Sequence, residues 1–338
     1  MMECLYGSVD DFTATLGAQV WTALQYGTVL VLLTALVLWL LGRRVNASVH
    51  ALLWTVALLK FIVPCGPGFA GSLSQGLDAV GEPISLDAGS VLMSDAHPWL
   101  FAAKIVLLSL YGVVTLFLVI RAIGRWRGHA ARARVLPPAP EATRGLVAAC
   151  AGRLGIRPPM VRVSNDPVPP HVAGLLRPIL VLPSWLGADP HAEEAFILHE
   201  LAHLKRRDHW LLLAIALVEI VFFFWPPVRF AARRLRSSRE AACDETAVAH
   251  GPLGAIAYAR SLVGVASRCL GGAAAGGLVP SAVSTRLEER VDYLLAPPRP
   301  TRRIWLGLLV TVWGIWALAG SQPPVHPQGC QDQVDRPR

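Results

Sequence analysis

His199-Glu200-Leu201-Ala202-His203 is a complete H-E-x-x-H motif, and its residue types specify a chemistry. On a helix, residues four apart lie on one face, so both imidazoles can meet one Zn²⁺. Glu200 lies beside them and can take a proton from a water activated there. A hydrolytic zinc site needs a third protein ligand and leaves its fourth position to water. The best candidate lies in Ser238–Glu245, on a second predicted helix that runs to His250 and closes at Gly251-Pro252. Glu240 and Asp244 are four apart there and share a face. Glu240 can bind zinc while Asp244 accepts the N–H of a ligand histidine and fixes its tautomer. The bland alternatives are a buried helix with two satisfied histidines, and a capping box pairing Ser237 with Glu240. Glu240 beside a full H-E-x-x-H favours the ligand reading.

Local signals support the elements that must hold these residues. Asp189-Pro190 offers an N-cap followed by a proline at the first helical position, where its missing N–H costs nothing. Lys205, Arg206 and Arg207 follow His203, where the C-terminal end of a helix favours cations. Upstream, Ala142–Leu154 reads as a helix ended by Gly155. Met160–Ser164 and Pro178–Leu182 read as short strands, rich in Val, Ile and Leu and bounded by prolines. A helix, a strand pair and a zinc-binding helix together describe a small zincin-like α+β domain. Ile179–Leu182 is either a plain core strand or an edge onto which an extended substrate adds. Downstream, Gly254–Leu270 is a predicted amphipathic helix, Gly271–Gly277 a Gly/Ala linker, and Thr285–Glu288 a capping box opening a helix to about Leu295. Gly271–Thr285 is either the place of regulated self-cleavage, because opening that segment costs little, or a slack linker that is never cut.

The chain has 338 residues, 54% hydrophobic and only 16% charged, with a mean hydropathy of +0.47. That excludes an ordinary soluble domain and points to membrane spans. Ala18–Leu41, Trp99–Ile120 and Ile304–Ala319 are long and apolar enough. Val49–Pro64 is shorter and carries Lys60, which must then face a neighbouring helix or lie on a re-entrant piece. Acidic residues without Lys or Arg precede the first span and fill Cys65–Pro98. Arg43, Arg44, Arg121, Arg125, Arg127, Arg132, Arg134, Arg302 and Arg303 mark the opposite side. The expectation is four spans with both termini outside and a cytoplasmic region from Arg121 to Arg303. The domains are then 1–120 with three spans, 121–303 with the zinc site, a fourth span at 304–320, and a short external tail at 321–338. The net charge of +8 comes mainly from the inner face. It reads as a signal for the lipid bilayer rather than for nucleic acid, since no recognition motif is visible. The cysteines contain no C-x-x-C pair, which disfavours a cysteine zinc site, and no cleavable signal peptide is evident. Trp210–Trp225 is apolar but contains Glu219 and has basic residues on both flanks. Crossing the bilayer there would put Glu240 opposite the histidines. It is read as a helix lying against, or dipping into, the membrane.

The residues resemble the BlaR/MecR-type membrane metallopeptidases, known for β-lactam sensing. The likeness rests on His199-Glu-Leu-Ala-His203-Leu-Lys-Arg-Arg-Asp208, on the apolar run ending Phe-Trp-Pro-Pro, on Arg239-Glu240-Ala-Ala-Cys-Asp244, and on the arrangement of spans. It implies a gluzincin-type fold with His199, His203 and Glu240 as zinc ligands and Glu200 as catalytic base. It also implies limited proteolysis in the bacterial cytoplasmic membrane, of the chain itself or of a cytoplasmic winged-helix repressor. Two features depart from the pattern. Pro226-Pro227 stands where Asn-Pro is usual. After the last predicted span only 321–338 remain, without a penicillin-binding domain, and the three lysines, Lys60, Lys104 and Lys205, form no S-x-x-K. The inducing signal is therefore expected to be sensed elsewhere, or by the Cys65–Pro98 loop. Two alternatives stay open. One is a quality-control protease of the HtpX/Ste24 type; the other is a non-enzymatic transmembrane receptor, which the intact Glu200 disfavours. An intramembrane site-2 protease fits less well, because Lys205–Asp208 directly follow the motif.

Overall fold

A computed structural model describes residues 2–41, 45–62, 98–273 and 281–296. The described residues are mostly helical. They begin with α1 (Met2–Leu41), α2 (Ala47–Ile62) and α3 (Pro98–Val135). Within these, Ala23–Leu41 and Ile105–Val135 are long and apolar enough to cross a membrane. They fall on two of the predicted spans. α2 has 16 residues, about 24 Å at 1.5 Å per residue, short of a hydrocarbon layer about 30 Å thick. Lys60 is fully buried on it, with its ammonium 5.8 Å from the Tyr26 ring centroid of α1. The lysine thus faces a neighbouring helix, one of the two placements expected from sequence. Gly27 makes the α1–α2 approach possible, since a Cβ there would lie 2.5 Å from the Phe61 ring. The predicted span Ile304–Ala319, the Cys65–Pro98 loop apart from Pro98, and Ala274–Gly277 of the Gly/Ala linker lie outside the described residues.

After α3 come α4 (Glu141–Leu154), β1 (Met160–Ser164), β2 (His171–Ala173), β3 (Ile179–Pro183) and a 3₁₀ turn, Ser184–Ala188. α4 ends at Gly155, whose φ of 69° is left-handed backbone that glycine adopts without a Cβ penalty. The sheet order is β1-β3-β2, with β1 parallel and β2 antiparallel to β3. β3 is therefore the central strand, and all five of its residues are buried. This overturns the edge reading of Ile179–Leu182. β2, three residues that the sequence reading did not single out, occupies an edge instead.

α5 (Pro190–Lys205) packs its Ala195, Phe196, Ile197, Leu198 and Leu201 into one core with α4, the sheet and the later helices. α6 (Asp208–Val221) follows after a single tight turn and leads to α7 (Pro226–His250), α8 (Ala255–Ala273) and α9 (Ser281–Leu295). Pro226-Pro227 open α7, where proline's fixed φ suits the first turn. α7 then runs unbroken through Ser237 and Glu240, so neither caps a helix start. Ser237 Oγ instead donates to Glu289 of α9 at 2.6 Å. Thr285 likewise lies inside α9 rather than at its start. A second core joins α1 and α2 to α6 and α7. In it Trp225 donates to Thr28 at 2.9 Å, and Phe61 meets Phe222 edge-on at 5.3 Å. α2 packs along α7, the helix that carries Glu240.

Candidate metal centre

Asp189 caps α5 as its sequence predicts. One carboxylate oxygen accepts from the His191 and Ala192 amides at 3.1 Å each. That fixes where the helix begins, and therefore which face carries His199, Glu200 and His203. The two imidazole centroids are 4.9 Å apart. Glu240 comes from α7 and meets both: its carboxylate oxygens lie 3.6 Å from His199 Nε2 and 3.6 Å from His203 Nε2. One ligand atom from each of the three residues lies within 4.8 Å of the other two. α6 does not separate the two motifs, because it folds back and returns the chain to the same side.

Each imidazole is held from behind. His199 Nδ1 lies 2.9 Å from Asp244 Oδ1, and His203 Nδ1 lies 2.8 Å from Asp208 Oδ2. A histidine that gives its Nδ1 proton to a carboxylate presents the Nε2 lone pair to a metal. Asp244 thus lies beside the Nδ1 of one of the two histidines, as the sequence reading expects of it, and that histidine is His199. Asp208 does the same for His203, a role the sequence reading did not find. Behind each carboxylate stands an arginine. Arg290 of α9 forks onto Asp244 through Nε at 2.8 Å and Nη2 at 2.6 Å. Arg239 reaches Asp208 Oδ2 at 2.9 Å. Tyr258 of α8 donates to Asp244 Oδ1 at 3.0 Å.

Charge and burial set the protonation preferences. Burial disfavours the charged form of His199, but the Asp244 carboxylate at its Nδ1 outweighs that and pushes its pKa up to about 9. Burial also works against the charge of Glu240, yet His199, His203 and Arg290 around it hold its carboxyl well below the ordinary range. Asp244 and Asp208 are kept ionised against their burial in the same way. Glu200 goes the other way: burial raises its carboxyl above the ordinary value. Such a carboxylate takes up a proton more readily than one on the surface.

A second trio, His203, Asp208 and Cys243, is also close enough to share an ion. It fits poorly. Asp208 is committed to His203 and Arg239, and burial pushes the Cys243 thiol far up, away from the thiolate a metal needs. The first trio fits zinc well. It offers two imidazole nitrogens and one carboxylate, with each histidine braced for ligation through Nε2.

Residues 18–294 match the model of the family described as BlaR1 peptidase M56. The chain belongs to that family. A curated member-like relative, the regulatory protein BlaR1 of Bacillus licheniformis, is 33% identical over 78 residues. That stretch is 22% of this chain and 13% of the relative, so the likeness covers a small part of that protein. An M56 peptidase with two membrane-competent helices agrees with the class anticipated from H-E-x-x-H and the high apolar content. Four residues around the site, to which the sequence reading gave no role, share a property: Asp208, Arg239, Tyr258 and Arg290 lie outside the His199, His203 and Glu240 trio and contact its members or the carboxylates behind them. Asp208 carried the one available signal, a carboxylate just past a helix of ligand histidines.

Proposed function

We propose that this M56 chain is a membrane-embedded zinc endopeptidase that performs limited proteolysis in signalling. Its substrates are proposed to be the chain itself, a cytoplasmic winged-helix repressor, or both. The observation that carries the metal reading is the convergence of His199 Nε2, His203 Nε2 and Glu240, with each Nδ1 tied back to a carboxylate. Zinc bound there would act as a Lewis acid toward a peptide carbonyl and make water easier to deprotonate.

The chain's own residues supply the rest. Glu200 takes the proton of the attacking water and later gives it to the leaving amine, which its raised proton affinity favours. The outer edge of β2 offers main-chain groups to an extended peptide, since β3 occupies its other edge. His171 on β2 is among the charges that act on Glu200, which supports reading that edge as the substrate side. α6, about 21 Å long at 1.5 Å per residue, exposes Trp210, Leu212, Leu213 and Leu217. That supports an interfacial helix close to the bilayer, and the arginines from Arg121 to Arg134 favour the cytoplasmic side for the catalytic domain.

The test is an intact-mass time course of zinc-loaded wild type and Glu200→Gln with a candidate repressor. Glutamine keeps the shape but cannot accept the proton, so cleavage should fall by about 10²–10⁴-fold or more while zinc is retained. Near-normal cleavage by the variant would remove Glu200 from the mechanism.

A further inference from the structure

Glu240 and Asp244 stand one turn apart on α7, and both carboxylates face His199. Like charges at that spacing repel, and Asp244 is fully buried. A buried carboxylate is costly unless it is paired and hydrogen-bonded. The cation that meets this pair comes from neither motif. Arg290 of α9 spans both carboxylates, with Nε and Nη2 on Asp244 at 2.8 and 2.6 Å and Nη1 3.5 Å from Glu240 Oε2. One planar guanidinium thus fixes the distance between the carboxylate behind His199 and the carboxylate proposed as a ligand.

We propose that Arg290 is a positioning residue of the metal centre, locking Asp244 and Glu240 into the geometry that lets His199 and Glu240 share one ion. The proposal rests on the zinc reading above. Its geometry suits arginine specifically, because the bidentate fork matches a carboxylate and leaves a third nitrogen for a second one. Neighbouring residues brace the arginine. Glu289 accepts from Ser237 of α7 at 2.6 Å. Tyr293 pairs with Glu245 of α7 and accepts the Ala47 amide of α2 at 3.2 Å. α9 is thereby pinned to α7 on both sides of Arg290, with Leu287, Val291 and Leu294 turned into the domain core. Arg239, the corresponding arginine behind His203, has an ion pair with Asp208 and none with Glu240 among the described residues.

The experiment measures zinc affinity by chelator competition on the purified full chain, for wild type, Arg290→Gln and Arg290→Lys. The visible spectrum of the Co²⁺-substituted protein and the unfolding midpoint of the metal-free protein are recorded alongside. Wild type should bind one zinc per chain. Arg290→Gln should weaken binding by roughly 10–100-fold and alter the cobalt spectrum. Arg290→Lys, which keeps the buried charge but lacks the fork, should lose less. If Arg290→Gln does not fold, the lysine variant decides. Wild-type zinc affinity and an unchanged cobalt spectrum in the folded variants would overturn the positioning role while leaving the metal reading intact. Wild type without stoichiometric zinc would overturn the metal reading, and the proposal with it.

Discussion

The two histidine arms of the site look alike and are built differently. His199 leans on Asp244, which leans on Arg290; His203 leans on Asp208, which leans on Arg239. In the first arm the carboxylate shares a helix with Glu240, and the arginine arrives from α9, late in the chain. In the second, Arg239 directly precedes Glu240 and Asp208 opens the helix after the motif. The first arginine binds its carboxylate through two nitrogens and also reaches Glu240; the second binds through one. The Arg239 side chain is 3% exposed and the Arg290 side chain 19%. The difference assigns separate jobs. The His203 arm rests on the more deeply buried arginine, and the His199 arm is where α5, α7, α8 and α9 converge.

Removing each carboxylate breaks the symmetry most strongly. Asp208→Ala leaves Arg239 buried without its ion-pair partner, which should cost about 3–5 kcal/mol of stability. Asp244→Ala should cost less, because Arg290 is partly exposed and keeps Glu240 within reach. Both variants should weaken zinc binding by roughly 10–100-fold. Denaturant unfolding and chelator competition on both would show it. Equal stability losses would remove the distinction between the arms.

The pH response sharpens the comparison. His199 has its proton affinity raised by Asp244, to a pKa of about 9 in the metal-free protein. An imidazole pKa raised above its unfolded value of about 6.5 adds stability that is complete below that value and is lost as pH rises through about 9. Metal-free wild type should therefore lose stability between about pH 6.5 and 9. Zinc must displace this proton, so zinc affinity should rise with pH across the same window. In Asp244→Asn both trends should flatten, and in Asp208→Asn they should persist. Identical pH profiles in the two variants would show that His199 is not the titrating group.

The smallest expected effect is that of Tyr258→Phe. It removes the hydrogen bond to Asp244 Oδ1 and the 3.2 Å contact with His199 Nδ1, and leaves the other arm untouched. The loss should be about 0.5–1.5 kcal/mol in thermal unfolding, with zinc stoichiometry unchanged. A loss of zinc would give Tyr258 a larger part than bracing Asp244.

What was legible in the sequence follows the same division. Patterns that act over one or two helical turns could be read: the Asp189-Pro190 start of α5, the i,i+4 histidines, and Glu240 with Asp244 on one face. The strand Met160–Ser164 was also read at its true limits, because its β-branched residues lie between prolines and polar turns. Asp208 was visible, but its job was not. It reaches back to His203 only because Arg207 adopts a left-handed φ of 54° that reverses the chain between α5 and α6. A non-glycine residue in that region is uncommon and carries no clear signal in sequence. Arg290 had no local signal either, since its partner lies 46 residues away. The order of strands was equally hidden. β3 looked like a possible edge because the three-residue β2 was too short to register as a strand.

The central claim is that His199, His203 and Glu240 hold one zinc ion between them. Its most direct test is elemental analysis of purified wild type and Glu240→Ala, with circular dichroism to confirm that both are folded. The account predicts one zinc per chain in wild type and loss of zinc from the folded variant. Stoichiometric zinc in folded Glu240→Ala would contradict it.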